Sequence, residues 1–162
     1  MRRNVPMNTA TLHQQQRDWV ERVAPRQPDE PPIVFFDGVC NLCNSSVNFL
    51  IKRDRHRRLR FASLQGETAE QLYQQAGPLP EDGQFWSVML WDERGLCDRS
   101  EAALGIARHL GGLWRLATIF RIVPRPIRDA VYEFIARNRY RWFGKKETCR
   151  VPTPAERGQM LP

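Results

Sequence analysis

Two cysteines, Cys40 and Cys43, stand where an apolar run, Ile33-Val34-Phe35-Phe36, gives way to a segment of helical periodicity beginning at Asn41. With Cys40 at the N-cap, its sulfur faces the unpaired N–H groups of Leu42 and Cys43 and the positive end of the helix dipole. Both favour thiolate over thiol. A free cysteine titrates at about 8.5, and such a setting commonly lowers that by about one unit or more. Cys40 is therefore the candidate nucleophile. Cys43, one turn later, is spaced to attack a mixed disulfide on Cys40, closing an internal disulfide and releasing a reduced substrate. The two thiols form a complete two-electron couple that calls for no cofactor.

The same pair supplies half of a tetrahedral zinc site, but Cys97, Cys149, His56 and His109 are scattered singly and give no second close pair. Two buried cysteines acting as small hydrophobes are the other plain alternative. Asp37 lies three residues before Cys40. Its carboxylate can accept loop N–H bonds or, through a water, take and return a thiol proton, and its charge opposes the helix effect on the thiol. An Asp-Gly turn also has ordinary backbone reasons, so catalytic and structural roles for Asp37 stand level. An aspartate closing an apolar first strand also suggests a phosphotransferase of the haloacid-dehalogenase type. That chemistry needs a second aspartate two positions on, where Val39 stands.

The elements that must position these residues read as an α/β plan. Ile33–Phe36 is a strand buried on both faces, and a helix runs on from Asn41 with Leu42, Val47, Leu50 and Ile51 inward and Asn44, Ser45 and Asn48 outward. Leu59–Leu64 is the second strand, and Thr68 with Gln71 reads as a capping box for a helix stopped by Gly77-Pro78. Phe85–Trp91 and Leu96–Asp98 form a hairpin, Ser100 caps a helix ending at Gly111-Gly112, and helices over Leu113–Val123 and Ile127–Tyr140 follow. In the last of these, Ile127, Val131, Phe134 and Ile135 are the expected inward face. Strand, helix, parallel strand, then hairpin, with a cysteine pair topping the first strand, is the thioredoxin arrangement. The expected fold is thus a thioredoxin-like mixed sheet with flanking helices and an added C-terminal helical pair. Residues 1–32, polar and rich in proline, read as a mobile extension with one short helix. Residues 33–143 form the domain and residues 144–162 a tail.

Length and composition agree with one globular domain: 162 residues, 41% hydrophobic and 27% charged. No apolar stretch approaches the roughly 20 residues that cross a bilayer, and Asn4–Arg26 contains no signal-peptide core, which places the expected chain in the cytoplasm. The net charge of +7 is concentrated: residues 113–150 hold ten basic residues against Asp129, Glu133 and Glu147. A solvated face accounts for this; the alternative is a basic module that docks an acidic protein, a membrane surface or nucleic acid. No nucleic-acid motif accompanies the charge. Cys97, within a strand, reads as inert, and Cys149, beside Lys145, Lys146 and Arg150, as a surface cysteine or a secondary reactive thiol. His13, His56 and His109 have no evident partner in the sequence.

Phe36-Asp37-Gly38-Val39-Cys40-Asn41-Leu42-Cys43, with the helix from Asn44 to Lys52 and Leu59-Arg60-Phe61, closely resembles the DCC family of thiol-disulfide oxidoreductases. The family is named for the Asp, Cys and Cys matched by Asp37, Cys40 and Cys43. Similarity continues through Val88–Asp92, the Ser100–Leu110 helix and Asn138-Arg139-Tyr140-Arg141. The resemblance implies a thioredoxin-like fold and disulfide exchange. Catalytic residues would be Cys40, Cys43 and Asp37, the substrate a protein or small-molecule thiol or disulfide, and neither metal nor cofactor is called for. No proline stiffens Asn41-Leu42 between the cysteines, and none stands near Trp86-Ser87 before the third strand, where thioredoxins place one. Direction, reductase or oxidase, is therefore open.

Overall fold

The computed structural model describes residues 9–77, 88–145, 153–154 and 156–162, with side chains from Gln14 onward. Strand β1 (Ile33–Phe36) is built wholly of β-branched and aromatic residues, and all four are buried. Its pleat divides them: Ile33 and Phe35 enter one core cluster, Val34 and Phe36 the other. Helix α2 (Asn41–Arg53) carries the chain to β2 (Arg60–Ser63), which pairs parallel to β1. On the other side β3 (Met89–Asp92) pairs antiparallel to β1 and turns into β4 (Gly95–Asp98). A short β5 (Met160–Leu161) runs parallel along the outer edge of β2, so the sheet order is β4-β3-β1-β2-β5. This mixed sheet with flanking helices is the expected α/β thioredoxin-like fold.

Two helical layers cover the sheet. Helices α1 (Thr9–Glu21) and α3 (Glu67–Ala76) pack on one face through Trp19, Ala69 and Leu72. On the other face α2 and α4 (Arg99–Leu110) contribute Cys43, Val47, Ala102 and Ile106. A 3-10 helix (Gly112–Ile122) and α5 (Arg125–Phe143) follow, both packed on α4. Asp54, at the end of α2, fixes the entry to β2 by accepting from the Arg58 and Leu59 amides at 3.0 and 2.8 Å. Gln159, just before β5, donates to the same carboxylate at 3.0 Å. Arg99 opens α4 with φ of 50°, and its buried side chain reaches Gln16 of α1, Asp98 at 3.9 Å and Glu133 of α5 at 3.2 Å. Among the described residues no helix is long and apolar enough to cross a membrane.

Several expectations change. The stretch read as a mobile extension is tied down from Gln16 onward: Trp19 and Val23 are buried, Trp19 Nε1 donates to Gly77 O at 2.8 Å, and Trp91 Nε1 donates to Ala24 O at 2.8 Å. Part of the expected tail is strand β5. No capping box forms at Thr68: the N-cap of α3 is Gly66, and the Thr68 amide donates to Pro162 O at 2.8 Å. Ser100 does not cap α4 either; Asp98 holds that position, and the Ser100 hydroxyl donates to Asp129. Phe85, Trp86 and Ser87, read as the start of the third strand, lie outside the described residues, as does Cys149.

The largest departure is the face of α5. Ile127, Val131, Phe134 and Ile135 point outward, all more than 40% exposed, while Tyr132 and Arg139 turn in. Ion pairing explains the inversion. Asp37 and Asp98 are buried carboxylates, and α5 supplies their cations, Arg139 at 3.4 Å and Arg125 at 3.3 Å. Leaving a buried charge unpaired costs about 3–5 kcal/mol, and two such carboxylates call for cations from this one helix. The Leu113–Val123 segment, expected as an ordinary helix, winds as 3-10, whose three-residue turn aligns Leu113, Leu116, Ile119 and Ile122 on one exposed edge.

Packing of α1 is tested by Trp19→Ala. Truncating a buried tryptophan costs about 3–5 kcal/mol, and that loss is expected in urea unfolding. An unchanged midpoint would return residues 9–32 to the status of a loose extension.

Candidate active site

The turn between β1 and α2 is built from its own polar groups. Cys40 is the N-cap of α2, with extended backbone (φ −82°, ψ 121°), and its sulfur accepts the Cys43 amide at 3.3 Å. The Cys40 amide in turn donates to Asp37 O at 3.3 Å. Asn44 sits beneath, donating from Nδ2 to Gly38 O at 2.8 Å and to Cys40 O at 2.9 Å. Sequence periodicity put Asn44 on the outward side; it is buried, because the turn's carbonyls need a donor there.

Both cysteines are buried free thiols. The Cys43 thiol hydrogen-bonds to the Cys40 sulfur, and this contact most strongly lowers the Cys40 pKa, to about 6; burial opposes it, and the Cys43 amide and Arg139 assist. The same contact, together with burial and the adjacent Cys40 charge, drives Cys43 far above the ordinary thiol range. At neutral pH the pair therefore holds one negative charge, on Cys40, and one proton, on Cys43. Cys97, by contrast, is pushed up to about 12, chiefly by burial.

Asp37 is almost wholly buried and fully occupied. Its Oδ1 accepts from the Val39 amide and from Gln65 Nε2, each at 3.1 Å. Its Oδ2 accepts from the Tyr140 hydroxyl and from Arg139 Nη2 at 3.4 Å. The Arg139 guanidinium also lies 4.7 Å from the centre of the Tyr140 ring. Arg139 lowers the pKa of both thiols and Asp37 raises it. Sequence reading grouped Arg139 with Arg137 and Arg141 as one solvated basic face. Arg137 and Arg141 are exposed, but Arg139 is 5% exposed and belongs to the site. The helical spacing that turns Tyr132 and Arg139 to one side, seven residues apart, was the available signal.

Two features govern access. The end of α5 crosses over Cys40: Lys145 forms an isolated antiparallel bridge with Cys40, and Asn41 Nδ2 donates to Phe143 O at 2.9 Å. Beside Cys43 lies an apolar groove of about 520 Å³ between α2, α4 and α5, lined by Leu42, Phe49, Ile106, Tyr132, Ile135 and Arg139 among others. Away from the site, His109, expected without a partner, bonds Asp92 at 2.9 Å. Asp92, Glu93 and His109 converge closely enough to hold a metal ion, but Arg108 already bridges both carboxylates, at 2.8 and 3.1 Å.

A strand-to-helix turn with one lowered and one raised thiol defines a thioredoxin-like dithiol protein, and comparison with known proteins gives the family. The DCC1-like thiol-disulfide oxidoreductase family matches residues 34–145, and the chain belongs to it. Protein YuxK of Bacillus subtilis (strain 168), described as uncharacterised, is 48% identical over 130 residues, covering 80% of this chain and 93% of its own. An Arabidopsis thaliana protein, At1g52590, described as a chloroplastic DCC family protein, is 36% identical over 146 residues, 89% of this chain and 84% of its own. No solved structure gives a significant match.

The thiol asymmetry is read by alkylation against pH with mass mapping. Cys40 is expected to react with a midpoint near pH 6 and Cys97 to stay slow throughout the neutral range. A Cys40 midpoint near 8.5, the value of a free thiol, would refute the assignment. Arg139→Met is expected to cost about 3–5 kcal/mol, because it strands buried Asp37, and Arg137→Met no more than about 0.5 kcal/mol. Equal effects in urea melts would return Arg139 to the solvated face.

Proposed function

We propose that the protein is a thiol-disulfide oxidoreductase working through a Cys40/Cys43 dithiol–disulfide couple. The observation that carries this reading is the Cys43 amide and thiol converging on the Cys40 sulfur at the start of α2, which leaves a thiolate at neutral pH. The Cys40 thiolate attacks a substrate disulfide, forming a mixed disulfide and expelling one substrate sulfur as thiolate. Cys43 then gives up its proton and attacks the Cys40 sulfur, forming the internal disulfide and expelling the second substrate sulfur. The substrate gains two electrons from the cysteine pair and two protons, one from Cys43 and one from solvent, and a reducing thiol partner restores the thiolate–thiol pair. Run backwards, the same steps oxidise a dithiol substrate.

Asp37 acts in this scheme as a positioning residue. It bonds neither sulfur, and its role is to pin the Val39 amide and hold Arg139 beside the thiols. Attack at Cys40, which is 0% exposed, further requires the Phe143–Lys145 segment to yield, and the Asn41 bond to Phe143 is the contact that must break. A reducing compartment such as the cytoplasm fits a resting dithiol.

Incubation with a small disulfide such as hydroxyethyl disulfide tests the couple. Wild-type protein is expected to lose two thiols, mapped to Cys40 and Cys43 and recovered with dithiothreitol. Cys43→Ser should accumulate a mixed disulfide on Cys40, whereas Cys40→Ser should accumulate none on Cys43. If both cysteines stay reduced under excess disulfide while the fold is intact, the redox reading fails.

A further inference from the structure

The outward edge of the 3-10 helix and α5 is a large apolar surface with nothing described against it. Leu113, Leu116, Ile119 and Ile122 recur every three residues at 83, 68, 63 and 80% exposure. Along α5, Val131 and Phe134 continue the surface at 58 and 62%. The two edges meet at the Val123–Pro124 link. Trp114 of the 3-10 helix lies edge-on against Phe49 of α2, with ring centres 5.3 Å apart, and Phe49 with Ile135 lines the groove beside Cys43. The apolar surface thus runs from the 3-10 helix to the mouth of that groove. Isolated exposed apolar side chains are ordinary; a continuous set of this extent marks an interaction site.

Charge narrows the occupant. From Gly112 to Lys145 there are eight basic residues and two acids, Asp129 and Glu133. Arg139 is buried on Asp37, and Arg121, Arg125, Arg128 and Arg137 pair with Glu101, Asp98, Glu101 and Glu133. Arg115 and Arg141 are exposed, and neither forms an ion pair among the described residues. A second copy of the chain would set this positive face against itself. Leu, Ile, Phe and Trp exposed with arginines interleaved, in a chain with no spanning helix among the described residues, is the pattern of a segment lying in a lipid interface. We infer that the 3-10 helix and α5 form a peripheral docking face for a bilayer surface bearing anionic lipid. The apolar edges enter the headgroup boundary, and the arginines meet lipid phosphates.

Co-sedimentation with phosphatidylcholine vesicles, with and without about one-third phosphatidylglycerol, tests the face. Full-length protein is expected to bind the anionic vesicles at least tenfold more tightly than the neutral ones, and less tightly as salt rises. Arg115→Gln with Arg141→Gln should weaken binding about thirtyfold, at about 1 kcal/mol per cation near the surface. Leu116→Asn with Phe134→Asn, both exposed positions, should abolish it with the thermal melt unchanged. No binding of wild-type protein to anionic vesicles, or equal binding to both, overturns the proposal. So does a dimer in analytical ultracentrifugation that Leu116→Asn with Phe134→Asn dissociates, since a second copy would then cover the face. Cys40→Ser with Cys43→Ser retains the face and should bind vesicles as wild type does, so this test and that of the redox couple fail independently.

Discussion

A carboxylate buried at the end of a strand needs a cation, and Asp37 finds one 102 residues away in Arg139. That pairing rotates α5 so that Tyr132 and Arg139 turn inward and Ile127, Val131, Phe134 and Ile135 face out. It carries the end of α5 over Cys40, walls the groove with Tyr132 and Arg139, and places a positive charge beside both sulfurs. A chain lacking α5 would still contain the Cys40–Cys43 turn, with an unpaired buried carboxylate beneath it. The site is therefore a tertiary construction, completed only when the last long helix docks.

Two kinds of influence act on the thiols, and they divide the work. Burial, Arg139 and Asp37 each affect both sulfurs in the same sense, burial and Asp37 raising and Arg139 lowering each pKa, so together they set a common level. The contact between the two side chains acts in opposite senses, favouring the charge on Cys40 and the proton on Cys43. The separation between nucleophile and resolving thiol thus arises locally, from the N-cap geometry of α2. Its absolute level is tuned from α5. An attacking thiol with a pKa near or just below ambient pH is mostly ionised yet keeps most of its intrinsic nucleophilicity.

Much of the scaffold was legible because it rests on short-range patterns. Ile33–Phe36, the helix from Asn41, the β3–β4 hairpin and the Gly111 stop follow from periodicity and turn chemistry, and the Cys40 cap follows from helix-end physics. What sequence reading missed depends on partners distant in the chain. Trp19 looks like one aromatic in a polar leader until Gly77 accepts its indole N–H. Ser100 has the chemistry of a cap, but Asp129 holds its hydroxyl. Val131 and Phe134 satisfy an inward pattern that fails because ion pairing, which hydrophobic periodicity does not register, fixes the helix rotation. Asn44 and Arg139 were misplaced for the same reason: each is a polar group buried for a specific partner.

Arg99 illustrates how such a fold restricts its own divergence. Its φ of 50° lies where glycine is at ease and a long side chain is not. Glycine would relax the backbone and remove the one side chain that joins Gln16, Asp98 and Glu133 across three elements. Lysine would keep a charge but offer a point in place of a planar fork with several donors. The backbone optimum and the side-chain optimum at this position belong to different amino acids, and no single-residue change satisfies both. Sequence drift here is confined by a conflict between two local demands, the one set by backbone and the other by ion pairing.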